Sequence, residues 1–370
     1  MELADFRDYD FLTDLLQAKS PSGEETEALE VWTEKLESLK KQYGKNYKFE
    51  WYSDLIGNKG ISVTGSNKIG KRKIMISAHI DEIAMIVGLI EDNGMMVLQN
   101  LAGIDRKTLP GAQVLVKGDN NCWHKGIIHK APIHIEGKGK DADSAIKIEN
   151  LKLDVGSESK DETEGDFGIH PGSLVVFERN INTTFGKNRL VGNALDDKIG
   201  VYIVGKVLEE LLKSPNFDQV LEHNEIYFIA CTQEESGLRG ATIAAHNINP
   251  HLSIDLDVTF ATDGGLVSKS KYGEIKLGKG VVIEYGQDKS RKIAQTLIDI
   301  AKQNSIKFQY GVSRCGGTNT SAIQLNAQDC ETALLSIPNL SMHTQNETCD
   351  WTDIYYAIEL LTAAILSGKI

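Results

Sequence analysis

Two histidines and five acids stand at widely separated points where they could do chemistry together: His79 and Asp81, Asp196, the neighbours Glu234 and Glu235, Asp263, and His343. Imidazole nitrogen mixed with carboxylate oxygen suits borderline dications such as Zn2+, Mn2+ or Co2+. His79, Asp196, Glu235, Asp263 and His343 together provide enough donors for a pair of such ions. A pair needs a shared carboxylate, because cations about 3.5–4 Å apart repel one another, and Asp196 is the natural bridge. One acid must stay off the metals to take a proton from the attacking water, and Glu234 is the candidate for that base. Taken singly, each acid is explained as well by a helix cap or a solvated surface. The reading rests on the set.

These residues need elements to bring them together. Residues 73–77, 225–230, 258–261 and 332–337 read as strands, the second nearly all apolar, as in a strand buried on both faces. His79 with Asp81, Glu234 with Glu235, Asp263 and His343 follow these strands in turn, and α/β sheets bind ligands beyond the carboxyl ends of their strands. Asp196 and Asp197 open a helix predicted over roughly 198–213, with Asp197 shaping the turn, and further helices are predicted near 289–304 and 352–366. At the start, Leu12, Leu15 and Leu16 mark one helix and Leu29, Trp32, Leu36 and Leu39 a second, which Ser22 and Glu25 are predicted to open as a capping box. From 92 to 180 the pattern changes to short strands, at 113–116, 126–128, 145–148 and 173–177, with an exposed loop at 137–143. The expected fold is α/β, with a catalytic domain over 1–91 and 181–370 and a small β-rich domain inserted at 92–180.

Composition narrows the function. A chain of 370 residues with a formal net charge of −12 lacks the basic balance that nucleic acid or an anionic membrane would favour as partner. Residues 1–5 show no signal-peptide pattern and no run of 18 apolar residues occurs. Five cysteines without a CxxC pair fit reduced thiols, so a cytoplasmic location is expected. Cys231 reads as packing and Cys315 as a neighbour of the pocket. His124, His129, His134, His170, His223, His246 and His251 belong to no ligand spacing and read as ordinary surface or half-buried side chains.

Ser77-Ala78-His79-Ile80-Asp81-Glu82, Gly192-Asn193-Ala194-Leu195-Asp196-Asp197-Lys198, Gln233-Glu234-Glu235-Ser236-Gly237, Thr262-Asp263-Gly264 and Met342-His343-Thr344 resemble, in this order, the M42 family of metalloaminopeptidases. Pro21-Ser22-Gly23-Glu24 and Gly316-Gly317-Thr318 are similar to further family landmarks. The resemblance implies a mixed central sheet flanked by helices, as in co-catalytic zinc exopeptidases, with a β-barrel-like insert that mediates dimerisation. It implies that Glu235 and His343 hold one metal, that His79 and Asp263 hold the other, and that Asp196 bridges them. Glu234 would be the general base toward a water between the metals, and Asp81 would fix the tautomer of His79 by a hydrogen bond to its distal nitrogen. The implied activity is stepwise release of N-terminal residues from peptides with free N-termini, by a homo-oligomer of dimers that extends in many relatives to a dodecamer. Some relatives carry the label endoglucanase, but ordinary glycosidases use a carboxylic acid and a carboxylate rather than two metals. Asn319 and Thr320, and the segment 339–342 before His343, depart from the family pattern, which bears on the substrate pocket. A metal-dependent deacylase of small amides, or a non-catalytic assembly protein, would use the same fold.

Overall fold

The computed structural model describes residues 8–65, 71–132, 134, 146–313 and 317–370. Helices α1 (Tyr9–Gln17) and α2 (Thr26–Tyr43) come first, each burying the apolar stripe read from the sequence. The expected capping box does not form, because Ser22 turns its hydroxyl to Ser236 (2.7 Å) and Glu25 bonds back to the Gly23 N–H instead. Strands β1 (Lys48–Ser53), β2 (Lys59–Thr64) and β3 (Arg72–His79) follow. Next comes the insert, with β4 (Met85–Ile90), β5 (Met96–Asn100), β6 (Gln113–Lys117), β7 (Trp123–His129), β8 (Lys152–Asp154), helix α3 (Lys160–Gly165) and β9 (Leu174–Phe177).

The chain then returns through β10 (Asn182–Phe185), β11 (Arg189–Gly192), α4 (Leu195–Lys213), α5 (Phe217–Leu221), β12 (Asn224–Cys231), α6 (Arg239–Ile248) and β13 (Leu252–Phe260). It ends with α7 (Lys269–Tyr272), β14 (Val281–Tyr285), α8 (Arg291–Gln303), β15 (Phe308–Val312), α9 (Asn319–Asn326), β16 (Glu331–Asn339), β17 (Glu347–Asp350) and α10 (Trp351–Leu366).

The central sheet is mixed and eight-stranded, in the order β1-β2-β12-β3-β13-β16-β14-β15. Its middle strands β12, β3, β13 and β16 run parallel, so their carboxyl ends open on one edge. One face, with Ile74, Ile76, Ile226, Phe228, Ile254, Leu256, Leu335 and Ile337, joins α4, α8 and α10 in the main core. Burying such side chains supplies most of the drive to fold.

The insert is a closed barrel in the order β4-β5-β8-β7-β6-β9, with its own core of Met85, Val87, Leu98, Val114, Leu153 and Phe177. The sequence reading placed its start at 92, but β4 already pairs with β5 and β9, so the barrel begins at Met85. Strand β4 begins at Met85, close after β3 ends at His79, and this short connection hides the crossing. The strand predicted at 145–148 is also absent from the described residues of that stretch: Ile148 opens a short 3-10 turn, and the strand is β8. The loop read at 137–143 lies outside the described residues.

The two crossings between the domains are tied by Glu82 and Arg179, which form paired bonds of 2.6 and 2.7 Å. Lys198, fully buried, lies 3.4 Å from the same carboxylate and donates to the Ala18 carbonyl at 2.6 Å. Burial alone would push the Glu82 carboxyl up, but Arg179 and Lys198 outweigh it and hold it down at about 2. No helix among the described residues is long and apolar enough to cross a membrane.

Candidate metal centre

At the carboxyl edge of the sheet, β3 ends in His79, whose Nε2 stands 3.0 Å from Asp196 Oδ1. Asp196 lies in the first turn of α4 with non-helical backbone angles, and its N–H is held by Glu347 Oε2 at 2.9 Å. His343 Nε2 stands 3.3 Å from Asp196 Oδ2 and 3.3 Å from Glu235 Oε1. Asp196 thus presents one oxygen to each histidine. This is the arrangement a bridging carboxylate requires.

Two ligand groups share Asp196: His79 with Asp196 and Asp257, and Asp196 with Glu235 and His343, each with donor atoms within 4.8 Å of one another. His79, Glu234 and Glu235 form a third such group. The structure therefore brings His79, Asp196, Glu234, Glu235 and His343 together. It does not bring Asp263. That residue sits in a turn past β13, where its carboxylate accepts the Leu277 N–H at 2.8 Å. Its expected place is taken by Asp257, inside β13 and almost fully buried. The strand expected from 258 begins at Leu252 instead, so the acid that joins the ligand group lies within the strand rather than after it. The available signal was Ser253, Asp255 and Asp257 alternating with Leu252, Ile254, Leu256 and Val258, a strand buried on both faces with polar groups on one.

Asp81 is central in a different way from that expected. His79 Nδ1 bonds the Asp81 backbone carbonyl at 3.1 Å, with the carboxylate at 3.4 Å. The two carboxylate oxygens accept the N–H groups of Glu234 (2.9 Å) and Glu235 (3.1 Å), so one residue orients His79 and both acids of the next loop. Glu347, which the sequence reading missed, does the same for the other pair, accepting the N–H of Asp196 and of His343, each at 2.9 Å. His343 has a positive φ of 62°, and its Nδ1 meets the carbonyl of Gly103, a residue of the barrel.

So many acids in one buried place raise each other. Burial, and then Glu235, Asp81 and Asp196 nearby, push the Glu234 carboxyl up to about 8 even though His79 opposes this. Asp196 goes the other way, since hydrogen bonds from His343 and His79 overcome its burial and hold it well below the usual range. Mixed nitrogen and oxygen donors, crowded and buried, form a cluster that divalent cations would relieve.

The family model for M42 glutamyl aminopeptidase matches residues 58–360. The lysyl aminopeptidase of Pyrococcus furiosus is 31% identical over 79% of this chain and 81% of its own length. An aminopeptidase from the archaeon Desulfurococcus kamchatkensis has a structure that superposes with a TM-score of 0.86 at 30% identity, covering 99% of this chain and 95% of that one. The Pyrococcus horikoshii TET1 peptidase, which can assemble into a tetrahedron or a large octahedral shell, superposes with a TM-score of 0.77 at 27% identity, over 96% of this chain and 98% of that one. The chain belongs to the M42 family of aminopeptidases, and is a peptide hydrolase of that family.

Proposed function

We propose that this chain is a co-catalytic two-metal aminopeptidase, with His79 and Asp257 holding one ion, Glu235 and His343 the other, and Asp196 shared. The observation that carries the reading is the double use of Asp196, with Glu234 left beside the cluster as a further acid. Zn2+, or Co2+ or Mn2+ in its place, would polarise the scissile carbonyl and acidify the attacking water. Glu234 takes the proton from that water and returns it to the leaving amine. Asp81 and Glu347 keep the ligand loops in register through four main-chain bonds. A first residue with a free amine enters the cleft and departs as the amino acid.

Two exposed apolar side chains on the barrel, Leu89 and Ile127, support an oligomer built through the insert, as the shells of the Pyrococcus horikoshii relative suggest by likeness. The test of the activity is hydrolysis of aminoacyl chromogenic amides beside their N-acetyl twins by metal-reconstituted protein. Free-amine substrates alone are expected to react, and chelation to stop them. Cleavage of only the acetylated set would make the protein a deacylase. Glu234→Gln is expected to keep its metal and lose at least about 1,000-fold in kcat; a variant retaining most of its activity would remove Glu234 as the base.

A further inference from the structure

The metal cluster stands at one end of a cavity of about 600 Å3 that runs back over the polar face of the sheet. Between the metal cluster and its far side the cavity has apolar wall, with Leu238, Phe260, Tyr272, Leu334 and Met342 among its lining. At the far side lies Glu284 on β14, only 2% exposed. Strand β14 is separated from β13 by β16 alone, and two strand spacings of about 4.8 Å set it roughly 10 Å from Asp257. Val282 pairs with Ser336, which pairs in turn with Asp257, so Glu284 sits one pleat deeper than the metal ligands.

This carboxylate has no evident structural duty. Its Oε2 is buried without a hydrogen-bond partner among the described residues, and so are the hydroxyls of Ser313 and Ser336, which line the same cavity. The hydroxyls of Thr259, Ser313 and Ser336 stand beside the Glu284 carboxyl and partly offset the rise that burial gives it. Gly311, its neighbour on β15, leaves the carboxylate room, since a Cβ there would overlap it. Buried polar atoms left unpaired are costly and call for a partner. Lys289 is near but is engaged with Asp288 at 2.7 Å; Lys271 also lines the cavity, but at its exposed rim, with its ammonium over the Tyr272 ring.

We propose that Glu284 is the specificity residue of the cavity, and that the chain prefers peptides whose first residue is lysine or arginine. The proposal rests on the aminopeptidase reading above and adds the class of substrate. A long aliphatic stem packs along the apolar walls while its cationic head reaches the acid at the floor. An ammonium brings three donors and no acceptor, which matches the three unpaired oxygens of Glu284, Ser313 and Ser336. An acidic first residue meets a like charge, and a neutral one leaves the carboxylate unpaired.

The test compares kcat/KM of the zinc-loaded protein for lysyl, arginyl, norleucyl, leucyl and glutamyl chromogenic amides. Norleucine has lysine's stem without its ammonium. The lysyl amide is expected to exceed the norleucyl one by about 100-fold, the upper end of the cost of leaving a buried polar group unpaired. In the isosteric Glu284→Gln that ratio is expected to fall to within a few-fold of one. Competition by free lysine against free norleucine gives the same ranking on the unaltered protein, independent of how any variant folds. Preference for leucyl, norleucyl or glutamyl amides would overturn the proposal and leave the aminopeptidase reading intact. An unchanged lysyl to norleucyl ratio in Glu284→Gln would overturn the role of Glu284. Failure to cleave any free-amine substrate would remove the aminopeptidase reading and this proposal with it.

Discussion

The two faces of β13 divide the labour of the molecule. Leu252, Ile254, Leu256 and Val258 point into the main core, while Ser253, Asp255 and Asp257, just as buried, point toward the cavity side. The same division continues on β16, where Leu335 and Ile337 oppose Ser336, and on β14, where Ile283 opposes Glu284. Apolar burial on one face stabilises the fold. Buried acids on the other cost stability unless a cation or a donor meets them. Asp255 shows that cost plainly: its Oδ1 accepts the Ser77 hydroxyl at 2.6 Å, and burial still pushes its carboxyl up to about 7.

That contrast can be broken from either side. Leu256→Ala removes a fully buried side chain directly behind the site, and should cost about 4 kcal/mol in chemical denaturation while leaving the metal content unchanged. A loss of metal equal to the loss of stability would show that the two faces are not separable. Glu82 offers a second test, at the junction with the barrel. Its folded pKa of about 2 lies below the ordinary 4.5, so its contribution is present in full above pH 4.5 and is lost as the pH falls toward 2. Glu82→Gln should therefore be about 3 kcal/mol less stable near neutrality, with the gap to the unaltered protein closing across that window. A gap independent of pH would mean that the lost packing, not the charge, matters. The smallest effect is expected at Gly103, where an added Cβ would come within 3.2 Å of His343 Nδ1. Gly103→Ala should weaken metal binding by about 10-fold, as read by titration calorimetry, because it shifts the imidazole off the carbonyl that orients it. An unchanged affinity would make the barrel a bystander to the metal centre.

Much of the site was legible because it is local. His79 with Asp81, Asp196 with Asp197, and Glu234 with Glu235 each lie in a short motif at the end of an element, so type and spacing expose them. The α/β architecture and the β-rich insert followed from where strands and helices alternate and where they cease to, whereas the mixed sheet and the barrel were implied only by the family resemblance. Asp257 was not legible in the same way, because its strand breaks the apolar run on which strand detection relies, and the break is the functional half of the alternation. Glu347 was hidden for another reason. It ties its own loop at His343 to Asp196, 151 residues away, and no window of sequence contains both ends. The link from Gly103 to His343, across 240 residues and two domains, is equally invisible before folding.

The most direct measurement is the metal content per chain of Asp257→Ala beside Asp263→Ala, after zinc loading and gel filtration. The account predicts two ions in the unaltered protein and in Asp263→Ala, and loss of one in Asp257→Ala, whose carboxylate completes a ligand group with His79 and Asp196. Full metal content in Asp257→Ala with loss in Asp263→Ala would contradict it.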